Sequence, residues 1–151
     1  TTEHPAWRWS RTLELLTLVP LMGMLAGGML AFVLRERTLT LDSIFATIAA
    51  YLLLAGLYTQ IYLCLITWNP ASFSLPVEVA GRPVHLLHSD MTYFSLVTLA
   101  TVGYGDILPA TSTARMLAMI QAVTGQFYVA VVVAIFVGMT RNTPGRPRRI
   151  W

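Results

Sequence analysis

Three apolar runs dominate the sequence, and each is long enough to cross a bilayer as a helix. They cover residues 13–34, 44–68 and 114–139. A transmembrane helix needs about 20 residues to span roughly 30 Å of hydrocarbon. Gln60 in the second run and Gln126 in the third are polar interruptions, and a polar residue inside a span usually faces protein or water. The pattern predicts three transmembrane helices.

A fourth apolar stretch, residues 89–100, is too short to span and predicts a re-entrant helix. Ser89 or Asp90 is a plausible N-cap for it, although Asp90 could equally be a solvated loop charge. Residues 101–106 follow directly and contain two glycines. Non-helical backbone is tolerated at membrane depth only where protein buries it or water bathes it. We therefore expect residues 101–106 to line a water-filled path.

The connection over residues 69–88 contains three prolines and predicts an aqueous loop, with a short extended piece around residues 77–79. His85 and His88 lie in this connection. A fourfold assembly could gather them into an external proton or metal sensor. Two solvated loop histidines are the favoured interpretation, because their spacing alone is a weak metal signal.

The composition agrees with a membrane location. The chain is 56% hydrophobic and only 11% charged, whereas soluble domains carry about 25% charged residues. The net charge of +3 comes from arginines at segment ends, without the basic stripe of a nucleic-acid-binding protein. No nucleophile lies beside a base in the pattern, so an enzyme is not expected.

The arginines also predict an orientation, because basic residues favour the cytoplasmic side of a membrane. They follow the first and third runs at Arg35, Arg37, Arg141, Arg146, Arg148 and Arg149. We expect a cytoplasmic basic tail over residues 141–151 and, if no helix precedes the chain, an outside N-terminus in a cell (inner) membrane. The first run, within residues 1–40, has no regular series of arginines and is not expected to sense voltage.

The most informative motif stands between the short stretch and the third run: Thr101-Val102-Gly103-Tyr104-Gly105-Asp106. With the preceding Tyr93 to Ala100 and the following Ile107-Leu108-Pro109, it resembles the potassium channel pore domain of prokaryotic type. TVGYG is the established signature of potassium-selectivity filters, in which backbone carbonyl oxygens coordinate the ion. The resemblance covers about residues 41–140, with one additional preceding helix.

The resemblance implies an all-α membrane protein with three transmembrane helices, a re-entrant pore helix and a filter loop. It also implies passive, potassium-selective conduction. One chain supplies one filter segment, so a homotetramer in a lipid bilayer is expected, with potassium ions as cargo and no organic cofactor. Alternatives are a nonselective cation channel, a membrane subunit of a potassium-uptake system, or a non-conducting scaffold. Any regulatory partner would be another molecule.

The residue types of the motif suit this role. Carbonyl oxygens from four subunits can replace the water around a potassium ion, and glycine permits the backbone conformations that aim successive carbonyls at one axis. By resemblance, the carbonyls of Thr101, Val102, Gly103 and Tyr104 bind K⁺, the Thr101 hydroxyl completes the innermost site, and Gly105 closes the filter.

The residues expected to support the filter are Tyr93, Phe94, Val97, Thr98 and Asp106. Tyr93 and Phe94 are candidates to pack against Tyr104, and Asp106 could accept a hydrogen bond from Tyr93 or Tyr104. Some family members have a glutamate where Val97 stands. We therefore expect no buried carboxylate network behind this filter.

Gly125 lies mid-way along the third run and matches the glycine that hinges the inner helix in this family. Glycine costs about 1 kcal/mol in a helix interior relative to alanine, so a reason is expected. A gating hinge is the favoured reason, and close helix packing is the alternative. The Gly23 and Gly27 pair in the first run could allow close helix packing, or its spacing could be incidental.

Beyond Gly125, several residues fall near one helical face by the 3.6-residue period. By resemblance this face lines the cavity and lower pore, where valines could gate by dewetting. Some of them could instead face lipid. They are Gln126, Val129, Val133, Ala134 and Val137.

Overall fold

The computed structural model describes residues 5–35, 40–77, 80 and 86–141. Four helices account for most of this part of the chain: α1 (Pro5–Arg35), α2 (Leu41–Trp68), α3 (His88–Leu99) and α4 (Ser112–Arg141). α1, α2 and α4 are long and apolar enough to cross a membrane. The predicted all-α class, the three spans and the short fourth helix are therefore confirmed.

The start of α2 is fixed by a reciprocal pair of hydrogen bonds. The Thr40 hydroxyl oxygen accepts from the Ser43 amide at 3.2 Å, and the Ser43 hydroxyl oxygen accepts from the Thr40 amide at 3.1 Å. Such a capping box satisfies two amides that have no partner inside the helix. It sets the point at which the chain enters α2.

The start of α3 differs from the prediction. Its N-cap residue is Leu87, which makes no side-chain capping bond, so the proposed Ser89 or Asp90 cap is wrong. Asp90 lies instead in the first helical turn, where the helix dipole favours a negative charge. Its Oδ2 atom is buried and has no hydrogen-bond partner among the described residues.

A small sheet links the two ends of the re-entrant segment. Strand β1 (Phe73–Ser74) pairs antiparallel with β2 (Leu108–Pro109), and the Ser72 carbonyl accepts from the Ala110 amide at 2.8 Å. The extended piece thus lies before the predicted position at residues 77–79. Val77 lies in a turn, and residue 79 is outside the described part of the chain.

Three aromatic rings form the core that holds α3 against α2 and β1. Tyr62, Phe73 and Phe94 are all buried. Their ring centroids lie 5.2 to 5.4 Å apart in edge-to-face arrangements, which match the preferred geometry of aromatic pairs. One aromatic cluster therefore holds α2, α3 and β1 together.

α1 packs along α2 but does not use its small-residue pair for contact. A Cβ on Gly23 or Gly27 would have no neighbouring atom within 4 Å. Both glycines instead line an apolar cavity of about 370 Å³ between α1, α2 and α4. The closer approach is at Gly56 of α2, which faces Met22. Close packing at Gly23 and Gly27 is not formed within the described residues.

We expect Phe94→Ala to lower the melting temperature of the purified protein in detergent, because it empties the centre of the aromatic cluster. Truncating a buried phenylalanine typically costs about 3 kcal/mol or more. Phe45→Ala is the matched control, since Phe45 lies on α2 and is 65% exposed. Equal losses for the two variants would contradict the assigned core.

Candidate functional site

The end of α3 passes directly into the filter through main-chain hydrogen bonds. The Val97 carbonyl accepts from the Val102 amide at 2.9 Å, and the Thr98 carbonyl accepts from the Thr101 amide at 3.0 Å. Val97 and Thr98 thus contact the filter base through their backbones. The C-terminal end of α3 carries a partial negative charge, which favours a cation nearby.

The filter backbone alternates in handedness. Thr101, Gly103 and Gly105 have φ values of 56°, 59° and 81°, and Thr101 is the only non-glycine with positive φ among the described residues. Positive φ costs an L-residue about 1–2 kcal/mol, whereas glycine adopts it readily. A Cβ on either glycine would meet no atom within 4 Å. Glycine is therefore favoured at positions 103 and 105 by the backbone conformation and not by a lack of room for a side chain.

Behind the outer filter, Tyr93 stacks on Tyr104. The two rings are parallel within 2°, with centroids 6.3 Å apart. The Tyr93 phenol donates a hydrogen bond to the Asp106 carboxylate, which raises the pKa of Tyr93 above its usual value. These three residues meet as the sequence predicted. Phe94, the other candidate to pack on Tyr104, belongs to the aromatic core with Tyr62 and Phe73.

Below the filter, Gln126 of α4 meets the first filter residue. Its Nε2 donates to the Thr101 hydroxyl oxygen at 3.0 Å. Thr101 and Gln126 line a cavity of about 390 Å³ together with Ala122, Val123, Phe127 and Ala130. Ala122 and Ala130 were missed, although they stand four residues on either side of Gln126 and share its helical face.

The remaining predicted pore-lining residues lie further along α4. Val129, Val133, Ala134 and Val137 are exposed on the helix surface and do not line the cavity below the filter. Their place along a pore stays a prediction, since it depends on neighbouring chains.

At Gly125, α4 packs tightly against the end of α3. A Cβ at this position would overlap the Leu99 carbonyl oxygen and lie 3.1 Å from the Leu99 Cδ1. α4 itself continues without a break from Ser112 to Arg141. Close packing, the alternative considered for Gly125, therefore accounts for the glycine. A hinge at this residue stays a prediction.

A second amide of α4, Gln121, was overlooked in the sequence. Its Nε2 donates to the Ser95 hydroxyl at 2.7 Å and to the Ser95 carbonyl at 3.0 Å. Its Oε1 accepts from the Tyr62 hydroxyl at 2.5 Å, and the Ser95 hydroxyl donates to the Ala55 carbonyl at 2.7 Å. All three side chains are fully buried. The signal was available, because a polar residue in a span usually faces the protein interior.

His88 begins α3, and its ring lies beside Thr92 and Gln60. Its Nδ1 lies 3.4 Å from the Thr92 hydroxyl, and its Nε2 lies 3.5 Å from the Gln60 amide nitrogen. Within the described ranges, no three His, Cys, Asp or Glu side chains come together as metal ligands. His85 lies outside those ranges, so the sensor hypothesis is untested.

Sequence comparisons identify proteins related to this chain. A family model described as ion channel matches residues 38–142. Protein LctB of Bacillus caldotenax is 30% identical over 75% of this chain and 84% of its own length. The potassium channel protein kcv of Paramecium bursaria Chlorella virus 1 is 32% identical over 52% of this chain and 80% of its own.

A plant relative is similar over a smaller share of its length. The two-pore potassium channel 4 of Arabidopsis thaliana is 36% identical over 52% of this chain, a match that spans about a quarter (26%) of the plant protein. No solved structure matches at a significant level.

Gly125→Ala separates the two interpretations of that glycine. If Gly125 serves packing, alanine collides with the Leu99 carbonyl and lowers the melting temperature. If Gly125 serves only as a hinge, alanine stabilises the helix by up to about 1 kcal/mol and raises the melting temperature. We expect the decrease. Gly138→Ala is the matched control, because the space around Gly138 is open; a higher melting temperature for both variants would contradict the packing role.

Proposed function

The chain belongs to the potassium channel pore-domain family of ion channels, and from this premise we propose that it conducts potassium selectively and passively across a membrane. The observation that carries the proposal is the filter backbone. Left-handed conformations at Thr101, Gly103 and Gly105 follow directly on the C-terminal end of α3. A backbone that alternates in this way can turn successive carbonyls toward one side, as the replacement of an ion's water shell requires.

Each filter residue has its own role in potassium binding. The carbonyls of Thr101, Val102, Gly103 and Tyr104 serve as successive sites for K⁺, and the Thr101 hydroxyl completes the innermost site. Gln126 holds that hydroxyl from below through its 3.0 Å hydrogen bond. The ion passes unchanged, so the mechanism consists of binding and release. Binding must be strong enough for the ion to enter the filter and weak enough for it to leave.

The assembly follows from the single filter in each chain. One segment contributes carbonyls from one side only, so four copies are needed to enclose an ion. Tyr104 and Val102 are 70% and 53% exposed in the single chain, which leaves their side chains available to adjacent copies. The lower face of α4, with Val129, Val133 and Val137, would then approach its symmetry mates and form a hydrophobic constriction.

The chain is a multi-pass membrane protein, and we infer its orientation from the sequence. Arginines after α1 and at the end of α4 place those ends on the cytoplasmic side, in a cell (inner) membrane. α1 carries no basic residue between Arg11 and Arg35, so it does not supply the charges that move in a voltage sensor. The family and its relatives indicate a channel and not an enzyme.

Reconstituted in liposomes as a species with the mass of four chains, the protein should pass K⁺ far faster than Na⁺. A fluorescence flux assay with opposed K⁺ or Na⁺ gradients measures both rates on the same vesicles. Protein-free vesicles give the background. Comparable K⁺ and Na⁺ fluxes would replace the proposal with a nonselective cation channel.

Gly103→Ala should abolish this flux. Alanine at a φ of 59° is strained by about 1–2 kcal/mol, and relief of that strain turns a carbonyl away from the ion path. Gly28→Ala on α1 is the control, because Gly28 has no neighbouring atom within 4 Å and no positive φ. Unchanged flux in assembled Gly103→Ala tetramers would mean that the ions take another path.

A further inference from the structure

A closed set of buried hydrogen bonds joins three helices directly behind the filter. We propose that Tyr62, Ser95 and Gln121 are positioning residues for potassium binding: they fix α3 so that the filter carbonyls keep the spacing that K⁺ requires. This inference rests on the proposed function. None of the three touches the ion, and each acts through α3.

The set leaves little freedom in the arrangement of the helices. Both N–H groups of the Gln121 amide are used, at 2.7 and 3.0 Å, and its oxygen is taken by Tyr62. The Ser95 hydroxyl accepts from Gln121 and donates to the Ala55 carbonyl. A glutamine amide offers two donors and a serine hydroxyl one, so every donor in the set has a partner. Moving α3 against α2 or α4 would leave a buried polar group unpaired, which is costly.

The position of the set connects it to the filter. Ser95 lies one helical turn before the end of α3, and the carbonyls of the next three residues accept from the amides of Ala100, Thr101 and Val102. A displacement of Ser95 is therefore transmitted through main-chain bonds to the first K⁺ sites. The set is also neutral, and the apolar Val97 supplies no carboxylate behind the filter.

A positioning role predicts an effect on ion binding beyond any effect on fold stability. An ion that binds only the folded tetramer raises its melting temperature by an amount that grows with the logarithm of the ion concentration divided by the dissociation constant. If the set holds the carbonyls in place beforehand, its loss adds the cost of ordering them to each binding event. Partners that orient metal ligands typically change metal affinity 10- to 100-fold when removed.

The test measures the melting temperature of the tetramer in detergent while KCl replaces NaCl at constant ionic strength. The wild type should be stabilised by K⁺ over Na⁺. In Gln121→Leu we expect the apparent K⁺ dissociation constant to rise roughly tenfold. Tyr62→Phe, which removes one hydroxyl and keeps the ring, should shift it in the same direction by less.

Thr67→Val is the matched control. Thr67 is buried, and among the described residues its hydroxyl bonds only to the Leu63 carbonyl of its own helix, at 2.7 Å. We expect this variant to change the melting temperature equally in both salts and to keep the wild-type K⁺ affinity.

The outcomes are distinguishable. A wild type without K⁺-specific stabilisation would overturn the proposed function and this inference with it. A K⁺-specific effect that Gln121→Leu retains in full, with an equal loss in both salts, would make the set structural only. If Gln121→Leu does not assemble, Tyr62→Phe decides by the same criterion.

Discussion

The proposed function sets one constraint on which the rest of the structure depends: a stretch of backbone must stay inside the membrane with its carbonyl oxygens free to bind an ion. Hydrocarbon offers no hydrogen bonds, so such backbone survives only where surrounding protein satisfies everything else. The amides of Thr101 and Val102 are paired with α3, and the positive φ values are assigned mainly to glycine. The filter carbonyls are thereby left free of these main-chain hydrogen bonds, and the surrounding helices hold the backbone in this arrangement.

Three separate contacts meet this constraint at different heights. Main-chain bonds from Val97 and Thr98 fix the filter base. The Tyr93 ring and its bond to Asp106 hold the outer end. Behind α3, the neutral side chains of Tyr62, Ser95 and Gln121 join it to α2 and α4. Neutral groups are less costly than a charge to bury in a low-dielectric interior, and their hydrogen bonds are strengthened there.

The sequence predicted the elements better than their connections. Span lengths follow from hydrophobic runs and bilayer thickness, so the three spans were predicted correctly. The motif predicted where glycine is needed, and Gly103 and Gly105 have positive φ values. The cap at Ser89 or Asp90 was wrong because α3 already begins at His88, so these two polar side chains lie inside its first turn, two and three positions after the N-cap Leu87. Gln121 was overlooked although a polar residue inside a span usually faces the protein interior; its partners Tyr62 and Ser95 lie on other helices and could not be named from the sequence. The strand at Phe73–Ser74 is only two residues long and forms only with its partner beyond the filter.

The β1–β2 pair has a consequence for how this protein can vary. By pairing Phe73 with Pro109, it closes a chain loop that contains the whole pore helix and filter. Each doubling of a flexible loop costs only about 0.6 kcal/mol in closure entropy, so added length between β1 and α3 is inexpensive. One residue added between Gly105 and Leu108 would instead shift the pairing register and turn each strand side chain to the other face. The connection between β1 and α3 is therefore the position in the chain where inserted tags or regulatory segments should be tolerated best.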